Sequence, residues 1–199
     1  MEIPECRINK AKLSNEQLTV EYTEVFKDGN YKNDVTKSCK QIVHNDLKLA
    51  LAMLKPHVAA ICEMPEAREV NALEPTDADM KTLESYIVTG YSKGGSDENA
   101  GVTIIAQKLL KIGKTLNLTV PFVQFEDESS NAYAYAVILK AIIDRCDYEV
   151  DAYLFDEKWG IKQKDLFADD PFMEVQTAVE ESYKPKRGRK TTTNIPVES

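Results

Sequence analysis

The spacing of apolar residues changes along this chain of 199 residues, and that change constrains the fold more than any other feature. In residues 17–26, Leu18, Val20 and Tyr22 alternate with polar residues, which is the period of a strand with one buried face. From residue 45 to residue 62 the apolar residues recur every third or fourth position, which is the period of an amphipathic helix. Runs of strands followed by single helices are typical of α+β folds rather than of repeated βαβ units.

The same reading, applied to the whole chain, predicts two such groups of strands. The predicted elements are strands at 7–13, 17–26 and 31–38, a helix at 45–62, strands at 85–91, 102–110 and 115–125, a helix from 129 to about 147, and strands at 148–155 and 159–167. We expect an antiparallel sheet of order roughly βββ-α-βββ-α-ββ, with the two helices packed on one face. Pro56 should kink or split the first helix, and Pro121 should place its strand at a sheet edge.

The composition shifts after residue 167. Residues 1–167 carry the periodic pattern and predict a single α+β domain. Residues 168–199 begin with an acidic, turn-like stretch and end with residues that offer almost nothing to a hydrophobic core. We expect them to form an acidic linker followed by a basic, disordered tail.

Composition also excludes several classes of protein. Residues 1–7 contain two acids where a secretory signal has basic residues, and no apolar run follows them. The longest apolar stretch, residues 47–62, is interrupted by charged residues and is shorter than the roughly 20 apolar residues of a membrane span. The four cysteines are widely separated and contain no C-x-x-C pair, which is typical of free thiols in a reducing compartment. We therefore expect a cytoplasmic protein with no membrane contact.

The most suggestive motif is a basic segment at residues 184–190, which reads Lys-Pro-Lys-Arg-Gly-Arg-Lys. Its candidate nucleic-acid-binding residues are Lys184, Lys186, Arg187, Gly188, Arg189 and Lys190. Glycine lets an extended backbone approach an A·T-rich minor groove, whose negative potential attracts guanidinium groups. The segment resembles an AT-hook, except that Lys190 stands where the hook has a second proline. The alternative is a basic tail that keeps the chain soluble or binds a protein.

The charge distribution limits where else nucleic acid could bind. The chain carries −8 and residues 184–199 carry +4, so residues 1–183 carry −12 and repel phosphate at long range. Only a local patch within residues 1–183, which we call the body of the chain, could then contact nucleic acid. The candidates are Lys93, Lys108, Lys111 and Lys114, with Tyr86, Tyr91 and Phe122 nearby in the sequence. Aromatic rings beside cations are typical of single-strand-binding sheets, although strands of any sheet carry the same residue types.

No motif predicts catalysis, a cofactor or a metal site. Gly113-Lys114-Thr115 matches the end of a phosphate-binding loop, but the required glycine five residues earlier is missing and a strand follows. His44 and His57 should point to different sides of the first helix, with His44 near the helix cap and His57 partly exposed. Acidic clusters such as Asp97-Glu98 and Asp156-Glu157 leave a metal-dependent enzyme as a third hypothesis.

Three stretches, INKAKL at 8–13, LTVEY at 18–22 and VTGYSKGG at 88–95, are similar to uncharacterised proteins encoded by phages and mobile elements of gut bacteria. The resemblance covers residues 7–167 and implies no activity, but small non-enzymatic proteins of such elements commonly bind nucleic acid, or block or recruit a protein. Our first hypothesis is a non-catalytic accessory protein that contacts DNA through the basic segment. The alternative is a protein-interaction module, either a virion component or an inhibitor of host machinery, that uses its acidic body.

Overall fold

The computed structural model describes residues 5–26, 31–127, 129–130 and 132–160, which form a seven-stranded sheet and four α-helices. The strands are β1 Glu5–Ser14, β2 Gln17–Val25, β3 Lys32–Ile42, β4 Tyr86–Gly94, β5 Gly101–Leu109, β6 Thr115–Thr119 and β7 Val123–Gln124. The helices are α1 Asn45–Ala52, α2 Lys55–Ile61, α3 Asp77–Thr82 and α4 Ala136–Phe155. Short 3-10 turns lie at Pro65–Arg68 and Asp97–Asn99. The predicted α+β class is confirmed.

The strands form one antiparallel sheet in the order β3-β2-β1-β4-β5-β6, and β7 pairs with β5 beyond the end of β6. The two halves of the sheet meet where Lys10–Lys12 of β1 pair with Gly90–Ser92 of β4. A Cβ atom on Gly90 would lie 2.0 Å from the carbonyl oxygen of Ala11, so this junction requires glycine. Pro121 follows β6 at the edge of the sheet, as predicted.

The core fills the space between one face of the sheet and the helices. Leu18, Val20 and Tyr22, whose alternation predicted β2, are all buried. α1 packs against α4 and β4, and α4 also packs against β1. The polar residues between the buried positions of β2, among them Thr19 and Glu21, lie on the other face of the sheet and are partly exposed.

Pro56 interrupts the predicted helix at 45–62 as expected. α1 ends at Ala52 and α2 begins at Lys55, so Pro56 lies in the first turn of α2, where a missing backbone N–H costs no hydrogen bond. The long connection before β4 also contains a helix, α3. Thr76 caps it, because its side chain accepts a hydrogen bond from the Asp79 N–H and the Asp79 side chain accepts one from the Thr76 N–H.

The predicted strand at 148–155 is wrong. Residues 148–155 continue α4, which runs without a break from Ala136 to Phe155. The stripe of Leu139, Ile143 and Cys146 extends through Val150 and Tyr153, all of them buried at helical spacing. Of the predicted strand at 159–167, the structure describes only its first two residues, and Trp159 forms a single isolated bridge with Val43.

Several predictions lie outside the described residues. These are the boundary at residue 167, the acidic linker, the disordered tail and the basic segment at 184–190. Within the part of the chain that the structure describes, no helix is both long enough and apolar enough to cross a membrane.

Candidate functional site

The four predicted lysines of the sheet do not form one patch. Lys93 is opposite Val102 near the end of β4, whereas Lys108 is opposite Tyr86 at its beginning. Seven residues of strand separate these two ends, roughly 23 Å at about 3.3 Å per residue. Lys111 and Lys114 are exposed in the turn between β5 and β6, near Lys108 and far from Lys93.

Lys108 is held by acidic and aromatic partners. Its Nζ donates hydrogen bonds to Glu66 Oε1 at 2.5 Å and to the Tyr86 hydroxyl at 3.1 Å, and it lies 4.7 Å from the centre of the Tyr86 ring. Burial lowers the pKa of Lys108, but these hydrogen bonds outweigh the burial and raise the pKa overall. The ammonium charge is therefore largely compensated by Glu66, and Tyr86, which is fully buried, is not available to stack on a base.

Lys93 is paired in the same way at the other end of β4. Its Nζ donates to Asp147 Oδ2 at 2.5 Å, and the Tyr91 hydroxyl donates to Asp147 Oδ1 at 2.6 Å. Burial raises the pKa of the Asp147 carboxyl despite the two donors, and burial also raises the pKa of Tyr91. Both carboxylate oxygens of Asp147 are thus engaged, and Tyr91 is fully buried. The expectation that Tyr86 and Tyr91 supply stacking surfaces is wrong.

Lys93 and Asp147 line a polar cleft of about 630 Å³ between β1, the β4–β5 connection and α4. The other charged side chains of its lining are those of Arg7, Asp97 and Asp151. Among the described residues that line it, there is no histidine or cysteine to act as a nucleophile or as a base near neutral pH. The cleft offers these charged and polar side chains as hydrogen-bonding partners for a small polar molecule.

An ionic cluster with two buried members, His44 and Glu149, connects α1 with α4, and sequence reasoning missed it. His44 Nε2 donates to Glu149 Oε2 at 2.9 Å, and Lys158 Nζ lies 2.7 Å from the same oxygen and 2.8 Å from Asp46 Oδ2. Burial raises the pKa of Glu149, but the hydrogen bonds from Lys158 and His44 outweigh it and lower the pKa overall. The signal in the sequence was Glu149 itself, an acid three residues after the buried Cys146 on the apolar stripe of α4.

Three members of this cluster have the spacing of metal ligands. One ligand atom each of His44, Asp46 and Glu149 lies within 4.8 Å of the other two, which is close enough for a shared ion. The ammonium of Lys158, however, contacts both carboxylates and already provides the positive charge that a metal would bring. The cluster is therefore an ion-pair network that fastens α1 and the Lys158 turn to α4, and it gives no support to a metal-dependent enzyme.

His57 is fully buried, so its predicted partial exposure is wrong. His44 lies near the helix cap as predicted and is itself the N-cap residue of α1, although its side chain makes no capping hydrogen bond. Nδ1 of His57 lies 2.9 Å from the Tyr133 hydroxyl, and its Nε2 has no hydrogen-bond partner among the described residues. Burial lowers the pKa of His57 to about 4, so the ring is neutral near pH 7. Cys39 and Cys146 are buried as well, and all four cysteines are free.

Comparisons with models of known protein families, with curated proteins and with solved structures found no match.

Proposed function

We propose that this chain is a non-catalytic, nucleic-acid-associated accessory protein that contacts DNA through the basic segment at residues 184–190. The observation that carries the proposal is the charge of that segment, five cations in seven residues around an Arg-Gly-Arg centre, in a chain whose residues 1–183 carry −12. Such a segment can bind an A·T-rich minor groove, while the acidic body stays away from the phosphates.

The contacts of the body support confining the DNA contact to this segment. Lys93 and Lys108, two of the four lysines predicted in the sheet, are neutralised by Asp147 and Glu66. Lys111 and Lys114 are exposed, but both lie on one turn. Tyr86 and Tyr91 are buried, so they cannot form an aromatic platform beside these lysines. The two lysines are a secondary contact at most, and they offer a matched control for the experiment.

The experiment measures the affinity of the full chain for a short A·T-rich duplex by fluorescence anisotropy as a function of salt. About five phosphate contacts predict a slope of log affinity against log salt of about −4 to −5, because each contact releases close to one counterion. Replacing Arg187 and Arg189 by glutamine should weaken binding and make the slope shallower by about 2. The control with Lys111 and Lys114 replaced by glutamine removes the same charge from the body and should leave the slope nearly unchanged.

The outcomes separate this function from the second one. Equal losses in the two double variants would show that charge anywhere on the chain suffices, and the proposal would be wrong. No binding at low salt would leave a protein-interaction module, which the strongly acidic body favours. A pull-down with the full chain, analysed for both nucleic acid and protein, would then identify the partner.

A further inference from the structure

The two edges of the sheet differ in charge. The edge strand β3 has eleven residues and carries Lys32, Asp34, Lys37 and Lys40, and charged side chains of this kind prevent strands from pairing edge to edge. The opposite edge strand, β6, reads Thr-Leu-Asn-Leu-Thr and carries no charge. Four of its five residues are exposed, and among the described residues only β5 pairs with it. Within the described part of the chain, the outer edge of β6 is therefore unpaired and can accept another strand.

The sequence of β6 reads the same in both directions. In an antiparallel pair of two β6 strands centred on Asn117, Thr115 is opposite Thr119 of the second copy, Leu116 is opposite Leu118, and Asn117 is opposite itself. A twofold axis brings the same surface of both copies together, and in this register threonine meets threonine and leucine meets leucine. Shifting the register by one residue would place leucine opposite threonine or asparagine on the wrong face of the sheet.

Self-pairing would also extend the core. Leu116 and Leu118 are opposite Lys108 and Ala106 of β5, so they lie on the face of the sheet that holds the helices. Leu116 is 45% exposed, and the leucines of a second β6 would cover it.

The charges at the two ends of β6 fit the same twofold axis. One end of the edge is the β5–β6 turn with Lys111 and Lys114, and the other end carries Glu63 and Asp127 around a pocket. A twofold axis at Asn117 places the basic end of each copy beside the acidic end of the other, so the charges attract.

We propose that two copies of this chain form a symmetric dimer by antiparallel pairing of their β6 strands about a twofold axis at Asn117. The paired strands are roughly 17 Å long at about 3.4 Å per residue, which is small for a protein interface. The dimer should therefore be weak, with a Kd on the order of micromolar.

Sedimentation equilibrium of the full chain without DNA tests the dimer over a roughly hundredfold range of concentration around that Kd. Replacing Asn117 by lysine places two like charges opposite each other on the axis and should raise the Kd at least tenfold. The matched control is Asn33→Lys in β3, because both asparagines are exposed, lie on edge strands and bond a neighbouring strand's side chain, Gln107 for Asn117 and Glu24 for Asn33. Asn33→Lys should leave the Kd unchanged.

Mixing two variants with opposite charges at residue 117 tests the dimer even if the single variants differ in stability from the wild type. Asn117→Lys and Asn117→Asp should each dimerise poorly alone, and an equimolar mixture should restore dimers because lysine then meets aspartate on the axis. The proposal is overturned if the wild-type chain stays monomeric, if Asn117→Lys dimerises like the wild type, or if the mixture restores nothing. A monomeric wild type would leave the edge to an extended segment of another protein.

Discussion

The buried His57 predicts a specific loss of stability in acid. Its ring is fully buried, its Nδ1 is bonded to the Tyr133 hydroxyl, and burial lowers its pKa from 6.5 to about 4. In the unfolded chain the ring is in water and should titrate near the ordinary value of about 6.5. The folded and unfolded states therefore bind different numbers of protons over the pH range between these two values.

The sign and the size of the effect follow from this difference. Below about pH 6.5 His57 is protonated in the unfolded chain but stays neutral in the folded chain. The free energy of unfolding therefore falls as the pH falls. The loss levels off below about pH 4, where the folded state is protonated too. One pKa unit corresponds to about 1.4 kcal/mol, so the whole effect is on the order of 3 kcal/mol, of which about 2 kcal/mol is lost between about pH 7 and pH 5.

Urea unfolding followed by circular dichroism at these two pH values measures the effect. His57→Asn keeps a polar group near the position of Nδ1 but cannot take up a proton, so its stability should change by about 2 kcal/mol less between the two pH values. Tyr133→Phe is the control, because it removes the hydrogen bond at a cost of about 1 kcal/mol at both pH values and keeps the titrating ring. If His57→Asn and the wild type lose the same stability on acidification, the assignment of a neutral, buried His57 is wrong.

Two further predictions concern the junctions of the fold. Gly90→Ala should cost about 4 kcal/mol of unfolding free energy or prevent folding, because the new Cβ would overlap the carbonyl oxygen of Ala11. Gly113→Ala, which has open space around it and a φ of +74°, should cost only about 1 kcal/mol. Urea unfolding of both variants compares them, and equal losses would contradict the close approach of β1 and β4. Asp147→Asn should cost about 2 kcal/mol, because it removes the counterion of a partly buried Lys93. A double variant that also replaces Lys93 by methionine should recover part of that loss, and strictly additive losses would show that the two side chains are not coupled.

The α+β class could be predicted because apolar periodicity depends on neighbours in the sequence. Leu18, Val20 and Tyr22 need only alternate to predict a strand, and Pro56 interrupts a helix through its own covalent geometry. The strand prediction for residues 148–155 failed because a short segment can satisfy both the period of a strand and the period of a helix. Tyr148, Val150, Ala152 and Leu154 alternate as in a strand, but Val150 also continues the stripe of α4 together with Tyr153. Packing of that stripe against α1 and β1 decides the outcome.

The candidate site was harder to predict because its charges and orientations depend on contacts distant in sequence. Lys93 and Asp147 are 54 residues apart, and no local pattern indicates that they meet. Tyr86 and Tyr91 are five residues apart, so a regular strand would place them on opposite faces and leave one ring exposed. A bulge between Val88 and Gly90 shifts the alternation by one residue, and both rings turn into the core. One extra residue in β4 thus removes the only aromatic surface that the strand could have offered to a base, which is why the proposed DNA contact depends on residues 184–190.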